Sequence, residues 1–202
     1  IGRRVENLKT AVEVGAIDRY VSDPREGVEG ADFVLLATPV DTYERHLREW
    51  AGCLKPGAIV SDVGSVKGEL VTRAEALLPP SVRFVGAHPI AGKEGSGIQH
   101  ADAALYSGRQ VILTPLPQTS PALVQKATDV WSAIGAQVLK MTAENHDSAF
   151  AAVSHLPHLL AFAYFGGVLG QPAGRDLLSL AGPGFRDFTR IAASDPTMWR
   201  DI

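Results

Sequence analysis

Short apolar runs rich in β-branched residues alternate with stretches of helical spacing over the first 115 residues, and this alternation most constrains the fold. The apolar runs occupy residues 33–37, 58–62, 83–87 and 110–114. Helical spacing occupies 5–14, 41–53 and 66–78. Strands that alternate with helices predict a parallel sheet joined by crossover helices. The runs are nearly continuous in apolar residues, as strands buried on both faces require. Gly15, Pro56-Gly57 and Pro79-Pro80 mark the helix exits.

A turn-rich segment at 115–121 precedes a helix near 122–134 and a last strand near 137–141. The pattern changes at Thr142, which reads as a helix N-cap with Glu144 in the first turn. Residues 143–168 are rich in Ala, Leu and Phe. A helix that is apolar nearly all round is expected to be buried, against another helix or another subunit. Further helical pattern is broken at Gly182-Pro183-Gly184. The domain boundary is expected near residues 140–142, giving domains 1–141 and 142–202.

Two hundred and two residues suit one large domain or two small ones, at roughly 100–200 residues each. With 46% hydrophobic residues there is enough apolar material for a core, which excludes disorder over most of the chain. A net charge of −3 gives no basic face for nucleic acid. The single cysteine, Cys53, excludes an internal disulfide and a cysteine zinc site, and fits a reducing compartment such as the cytoplasm. No apolar run approaches the roughly 18 residues of a membrane helix, and no signal peptide is visible. The chain opens at Ile1 rather than at methionine, and it reads as an internal piece of a longer protein.

Candidate chemistry gathers where strands end. Thr38-Pro39 follows the first apolar run, at an edge where open α/β sheets bind ligands. It also reads as a plain strand-to-helix turn. In the run from Asp62 to Lys67, Ser65 sits where an N-cap would sit. The same helix start could hold a polar or anionic ligand. The run from Gly86 to Gly97 ends a strand at His88 and continues into a loop with Lys93 and Glu94. An imidazole at a strand's carboxyl end is a candidate general base. His155 and His158 share a helix face, so a metal site is conceivable, but Pro157 disturbs the helix and no acid or cysteine completes the set. No metal is expected. His155 reads as a satisfied buried histidine. His158 reads either that way or as a polar group facing the cleft. Arg186 and Arg190 share a face, suited to a carboxylate or to an ion-pair lattice with Asp187, Asp195 and Asp201. Ser194-Asp195-Pro196 is a helix start with Pro196 at its first position.

Five runs carry a resemblance: ADFVLLATPV (31–40), DVGSVKG (62–68), GAHPIAGKEGSG (86–97), VSHLPHLLAF (153–162) and GFRDFTRIAASDPTMWRDI (184–202). In this order they resemble the prephenate/arogenate dehydrogenases of tyrosine biosynthesis, over nearly the whole chain. The resemblance implies a Rossmann-type nucleotide domain, incomplete at its N-terminus, followed by an all-α domain that forms a homodimer. It implies oxidative decarboxylation of prephenate or arogenate with NAD⁺ or NADP⁺. It implies that His88 is the catalytic histidine, hydrogen-bonded to the substrate's ring hydroxyl. Ser65 would contact that histidine and the hydroxyl beside the nicotinamide. Arg190 would bind a substrate carboxylate, and Glu94 would gate the pocket. His158 and Trp199 would lie near the substrate, and Thr38 and Pro39 would pass under the cofactor.

The chain departs from the family pattern in two ways. The Gly-rich pyrophosphate fingerprint is not within it, and is expected in the full-length protein. An acid usually ends the second strand in NAD-specific members; its equivalent here is Gly2, followed by Arg3-Arg4. Two arginines tilt the reading toward NADP⁺ or dual use, or Arg3 stacks on adenine, or both belong to a solvated helix start. Readings of other classes are a non-catalytic nucleotide-binding or dimerisation module and a 3-hydroxyacid dehydrogenase. The joint presence of Ser65, His88 and Arg190 speaks against the module. The base at a sheet edge of the first domain speaks against the hydroxyacid enzyme.

Overall fold

The computed structural model describes residues 1–92, 97–194 and 196–200. Helix α1 (Val5–Glu13) stops where Gly15 takes φ +71°, a left-handed conformation that favours glycine. A short helix that periodicity did not reveal, α2 (Pro24–Val28), follows; Asp23 caps it by accepting a hydrogen bond from the Arg25 N–H at 2.9 Å. Strand β1 (Phe33–Leu36) leads into α3 (Tyr43–Trp50). Tyr43, Leu47 and Trp50 are buried at helical spacing, while Glu44 and Arg48 pair on the exposed face at 2.7 Å. After a turn at Gly57 (φ +80°) comes strand β2 (Ile59–Asp62), then α4 (Gly68–Leu77) and β3 (Arg83–Pro89).

Strands β4 (Gln110–Pro115) and β5 (Gln137–Lys140) flank helix α5 (Pro121–Ala133), with Ser120 as its N-cap and Pro121 at its first position. The five strands form one sheet in sequence order. β1, β2 and β3 are parallel neighbours, with Leu36 opposite Asp62 and Ser61 opposite Val85. The sheet is mostly parallel, as expected, and β4 is the exception, running antiparallel to β3 with His88 opposite Ile112. The reason is local: among the described residues between β3 and β4 there is one short 3-10 turn (Ile98–His100) and no crossover helix, and a parallel neighbour needs such a crossover. β5 is parallel to β4 and forms the other edge of the sheet.

Side chains of β1–β3 alternate between two cores. Val34, Leu36, Val60 and Phe84 pack with Tyr43, Leu47, Trp50 and Val71. Ile59, Val85 and Ala87 pack with Val111, Leu113, Ala127 and Trp131. Both faces of the central strands are therefore closed to water, and the buried Ser61 hydroxyl within β2 is satisfied by donating to the Val85 carbonyl at 2.6 Å.

The chain divides into two compact units, 1–146 and 147–202. Thr142 accepts a hydrogen bond from the Asn145 N–H at 3.2 Å and caps α6 (Ala143–Phe150). The helix widens into a π-helical turn over Ala151–His155 and continues as α7 (Leu156–Leu169). Pro157 has no N–H and its ring crowds the carbonyl four residues back, and the wider turn before it absorbs that conflict. Helices α8 (Gly174–Ser179), α9 (Pro183–Thr189) and α10 (Pro196–Arg200) complete the second unit.

Of two expectations for residues 143–168, one stays open and one is corrected. Within the chain Leu156, Leu159 and Leu160 are each more than half exposed, which leaves the expected cover to another subunit. The run from Ala143 to Leu169 is also 27 residues long and apolar enough, by length and composition only, to cross a membrane. The sequence reading looked for unbroken apolar residues, and the helix runs on through Ser154, His155 and Pro157.

Candidate active site

Three neighbouring parallel strands bring their carboxyl ends to one edge of the first unit. Thr38 and Pro39 follow β1, both exposed. Thr42 donates its hydroxyl proton to the Pro39 carbonyl at 2.6 Å, so it accepts from the Thr38 hydroxyl at 2.8 Å. Ser65 stands half buried in the loop after β2. It is not the N-cap expected of it, because α4 begins only at Gly68 and Lys67 takes the capping position without a side-chain cap bond. His88, half buried, is the penultimate residue of β3.

Beneath this edge lies a polar node that the sequence reading passed over. Asp62 and Lys67 are both fully buried and paired to each other. Asp62 Oδ1 accepts from the Ala87 N–H at 2.9 Å, and Oδ2 accepts from the Gly64 N–H at 2.9 Å and from Lys67 Nζ. One carboxylate thus ties the Ser65 loop to the strand position just before His88. Burial pushes the Asp62 carboxyl up, against the pull of the Lys67 ammonium and the two backbone donors. The signal was present in the run Asp62 to Lys67, where an acid ends an apolar strand and a lysine follows five residues later.

His146 was also missed. It is fully buried in α6, and its Nε2 lies 2.9 Å from His88 Nδ1, with the rings edge-on at 65°. Fifty-eight residues separate the pair in sequence, so no local pattern announces it.

Arg3 and Arg4 are exposed at the start of α1. With Gly2, Asn7 and Gln99 they line a cleft of about 440 Å³, with no carboxylate among its described lining residues. Such a lining fits the phosphate-bearing adenosine end of a dinucleotide, as guanidinium forks bind phosphate oxygens. Glu94 lies outside the described residues.

In the second unit His158 stacks on Trp199, with ring centroids 4.1 Å apart at 28°, and its Nδ1 bonds the Ser154 carbonyl at 2.9 Å. His155 and Phe162 meet the same indole edge-on, each at 5.8 Å. His155 is half buried rather than buried, and burial pushes its imidazole below the ordinary value. The Trp199 N–H is buried without a partner among the described residues. Arg190 is exposed at the end of α9, and neither it nor Arg186 forms an ion pair among the described residues, so the lattice with Asp187 is not made. No group of three or more His, Cys, Asp or Glu among the described residues could hold a metal ion.

Comparison with known proteins decides the family. The family model "prephenate dehydrogenase, nucleotide-binding domain" matches residues 2–140, and "prephenate dehydrogenase, dimerization domain" matches residues 142–202. The chain belongs to the prephenate dehydrogenase family. The cyclohexadienyl dehydrogenase of Zymomonas mobilis is 36% identical over 98% of the chain and 67% of its own length. The prephenate dehydrogenase of Bacillus subtilis is 35% identical over 98% of the chain and 54% of its own length. The chain therefore spans about two thirds and about half of these two relatives. The crystal structure of A. aeolicus prephenate dehydrogenase, in complex with hydroxyphenyl propionate and NAD⁺, aligns with a TM-score of 0.89 and 42% identity, over 98% of this chain and 69% of that one. A prephenate dehydrogenase fold thus places the Thr38, Ser65 and His88 edge in a nucleotide-binding domain.

Proposed function

We propose that the protein containing this chain is an NAD(P)-dependent prephenate dehydrogenase, forming 4-hydroxyphenylpyruvate and CO₂. The observation that carries the reading is the imidazole of His88 at the carboxyl end of β3, beside the Ser65 loop, in a chain of this family. The product stands one amino-group transfer from tyrosine, which supports a place in tyrosine biosynthesis, and the single cysteine fits a reducing cytoplasm. Residues 1–141 form the nucleotide-binding domain and 142–202 the substrate and dimerisation domain.

Bound NAD⁺ or NADP⁺ supplies the acceptor for the hydride leaving the ring carbon that bears the hydroxyl. Arg3 and Arg4 hold the adenosine end, where two guanidinium groups can also accept a 2′-phosphate. Thr38, Pro39 and Ser65 flank the nicotinamide end. His88 accepts the hydroxyl proton through Nε2 as the hydride departs. The carbon–carboxylate bond then breaks, CO₂ leaves, and its electron pair completes the aromatic ring. His88 returns the proton to the ring oxygen, so the imidazole ends as it began. Arg190 binds a substrate carboxylate with its guanidinium fork. Glu94 gates the pocket. His158 and Trp199 contact the substrate, supported by their stacking and the unpartnered indole N–H.

The test uses the full-length protein. Formation of reduced nicotinamide is followed with prephenate and with arogenate, each with NAD⁺ and NADP⁺. Turnover of prephenate that drops about 100- to 10,000-fold in His88→Asn, with cofactor binding retained, is the expected result. Preference for arogenate would keep the chemistry and change the substrate. Failure on both would favour a binding module.

A further inference from the structure

We propose that His146 is a positioning residue for His88, selecting the tautomer that leaves His88 Nε2 bare for the substrate hydroxyl. The inference rests on the catalytic reading of His88 given above.

An N–H···N bond of 2.9 Å between two imidazoles needs one donor and one acceptor. For His88 to accept a proton through Nε2, its own ring proton must sit on Nδ1. His88 Nδ1 then donates to His146 Nε2, and His146 carries its proton on Nδ1. The opposite arrangement puts a proton on His88 Nε2, which would donate where an acceptor is required. Choosing the tautomer of one ring therefore chooses the other.

The surroundings fix the backbone that carries each ring. His146 is fully buried, and its backbone N–H bonds the Thr142 carbonyl at 3.0 Å in the first turns of α6. Thr142 caps that turn. Met141, just before it, is tied to β4 by its N–H on the Leu113 carbonyl at 3.1 Å. On the other side, His88 is held in β3 by pairing with β4, and Ala87 is held by Asp62. A neutral partner also suits the chemistry. When His88 takes the hydroxyl proton, its Nδ1–H bond to His146 becomes charge-assisted and strengthens. His146 contributes no negative charge to trap that proton, and His88 can return it to the ring oxygen.

The test uses the full-length protein labelled with ¹⁵N-histidine. Ring-nitrogen chemical shifts should report Nδ1–H with bare Nε2 for both His88 and His146, the signals assigned by their loss in His88→Asn and His146→Leu. In kinetics, His146→Leu should lower kcat by about 10- to 100-fold, the loss seen when the outer partner of a metal-bound imidazole is removed, with KM near the wild-type value. His146→Gln, whose amide oxygen can accept the same bond, should recover most of that loss. An Nε2–H tautomer at His88, wild-type kcat in His146→Leu, or no difference between folded Leu and Gln variants would overturn the proposal. If His146→Leu does not fold, the wild-type tautomer and the Gln variant decide. Turnover retained by His88→Asn would instead sink the catalytic reading. Loss there with an unaffected His146→Leu would sink only the role of His146.

Discussion

Asp62 shows how much a single buried charge can organise. Its two oxygens take up the Ala87 and Gly64 N–H groups and the Lys67 ammonium, all out of water. Breaking one partner of such a pair leaves the other buried and unpaired. Lys67→Met or Asp62→Ala should each destabilise by about 3–5 kcal/mol in urea unfolding, while Asp62→Asn combined with Lys67→Met should recover much of that loss. Gly86 makes a second residue-scale prediction. A Cβ there would meet Thr114 Oγ1 at 2.5 Å and Val71 Cγ2 at 2.8 Å, two residues before His88. Gly86→Ala should cost about 1–3 kcal/mol by overpacking, and should lower kcat by displacing His88. His155 gives a pH dependence with a definite sign. Burial holds its imidazole below the ordinary 6.5, with Asp147 opposing and His158 adding to the shift. The unfolded chain therefore takes the proton first as pH falls. Stability is complete above 6.5 and declines through the lowered folded value. The thermal midpoint of the wild type should fall more between neutral and mildly acid pH than that of His155→Gln.

At the scale of elements, the wide turn between α6 and α7 sets which side chains face Trp199. A π-helical turn inserts about one residue relative to an α-helix, rotating everything after it by roughly 100°. His155 closes that turn and His158 follows it, and both reach the Trp199 indole. Pro157→Ala restores an N–H and removes the clash that the turn absorbs. The variant should melt higher, lose the His158–Trp199 stack as read by tryptophan fluorescence, and turn over more slowly. Most elements were legible because their signals are local. Helix α3 shows its buried Tyr43, Leu47 and Trp50 at helical spacing, and Thr142 announces α6 by residue type and position. The direction of β4 was less legible. The Gly-rich run between residues 90 and 97 carries no helical spacing, but the alternation before it favoured one more parallel strand.

At the scale of the whole molecule, the exposed face of α7 calls for cover. Leu156, Leu159 and Leu160 are 51%, 58% and 52% exposed, and Tyr164 on the same helix is 49% exposed. Contiguous apolar surface of this kind marks an association site. We propose that a second copy of the protein covers it, in keeping with the dimerization-domain family that matches residues 142–202. Leu160→Glu should shift the full-length protein from dimer toward monomer in sedimentation velocity. An unchanged sedimentation coefficient would remove this face from the interface.

What the residues alone determined is what depends on near neighbours: the periods of strands and helices, their caps and stops, and the placing of Thr38, Ser65 and His88 at or just beyond strand ends. These signals act over a few residues, where backbone preference and the alternation of apolar groups decide the structure. Tertiary structure decided what depends on distant segments meeting. It set the return of β4 along β3, the burial of Lys67 against Asp62, and the contact of His88 with His146 across fifty-eight residues. No residue carries such a contact in its own neighbourhood, because the contact exists only after the sheet and its covering helices have packed.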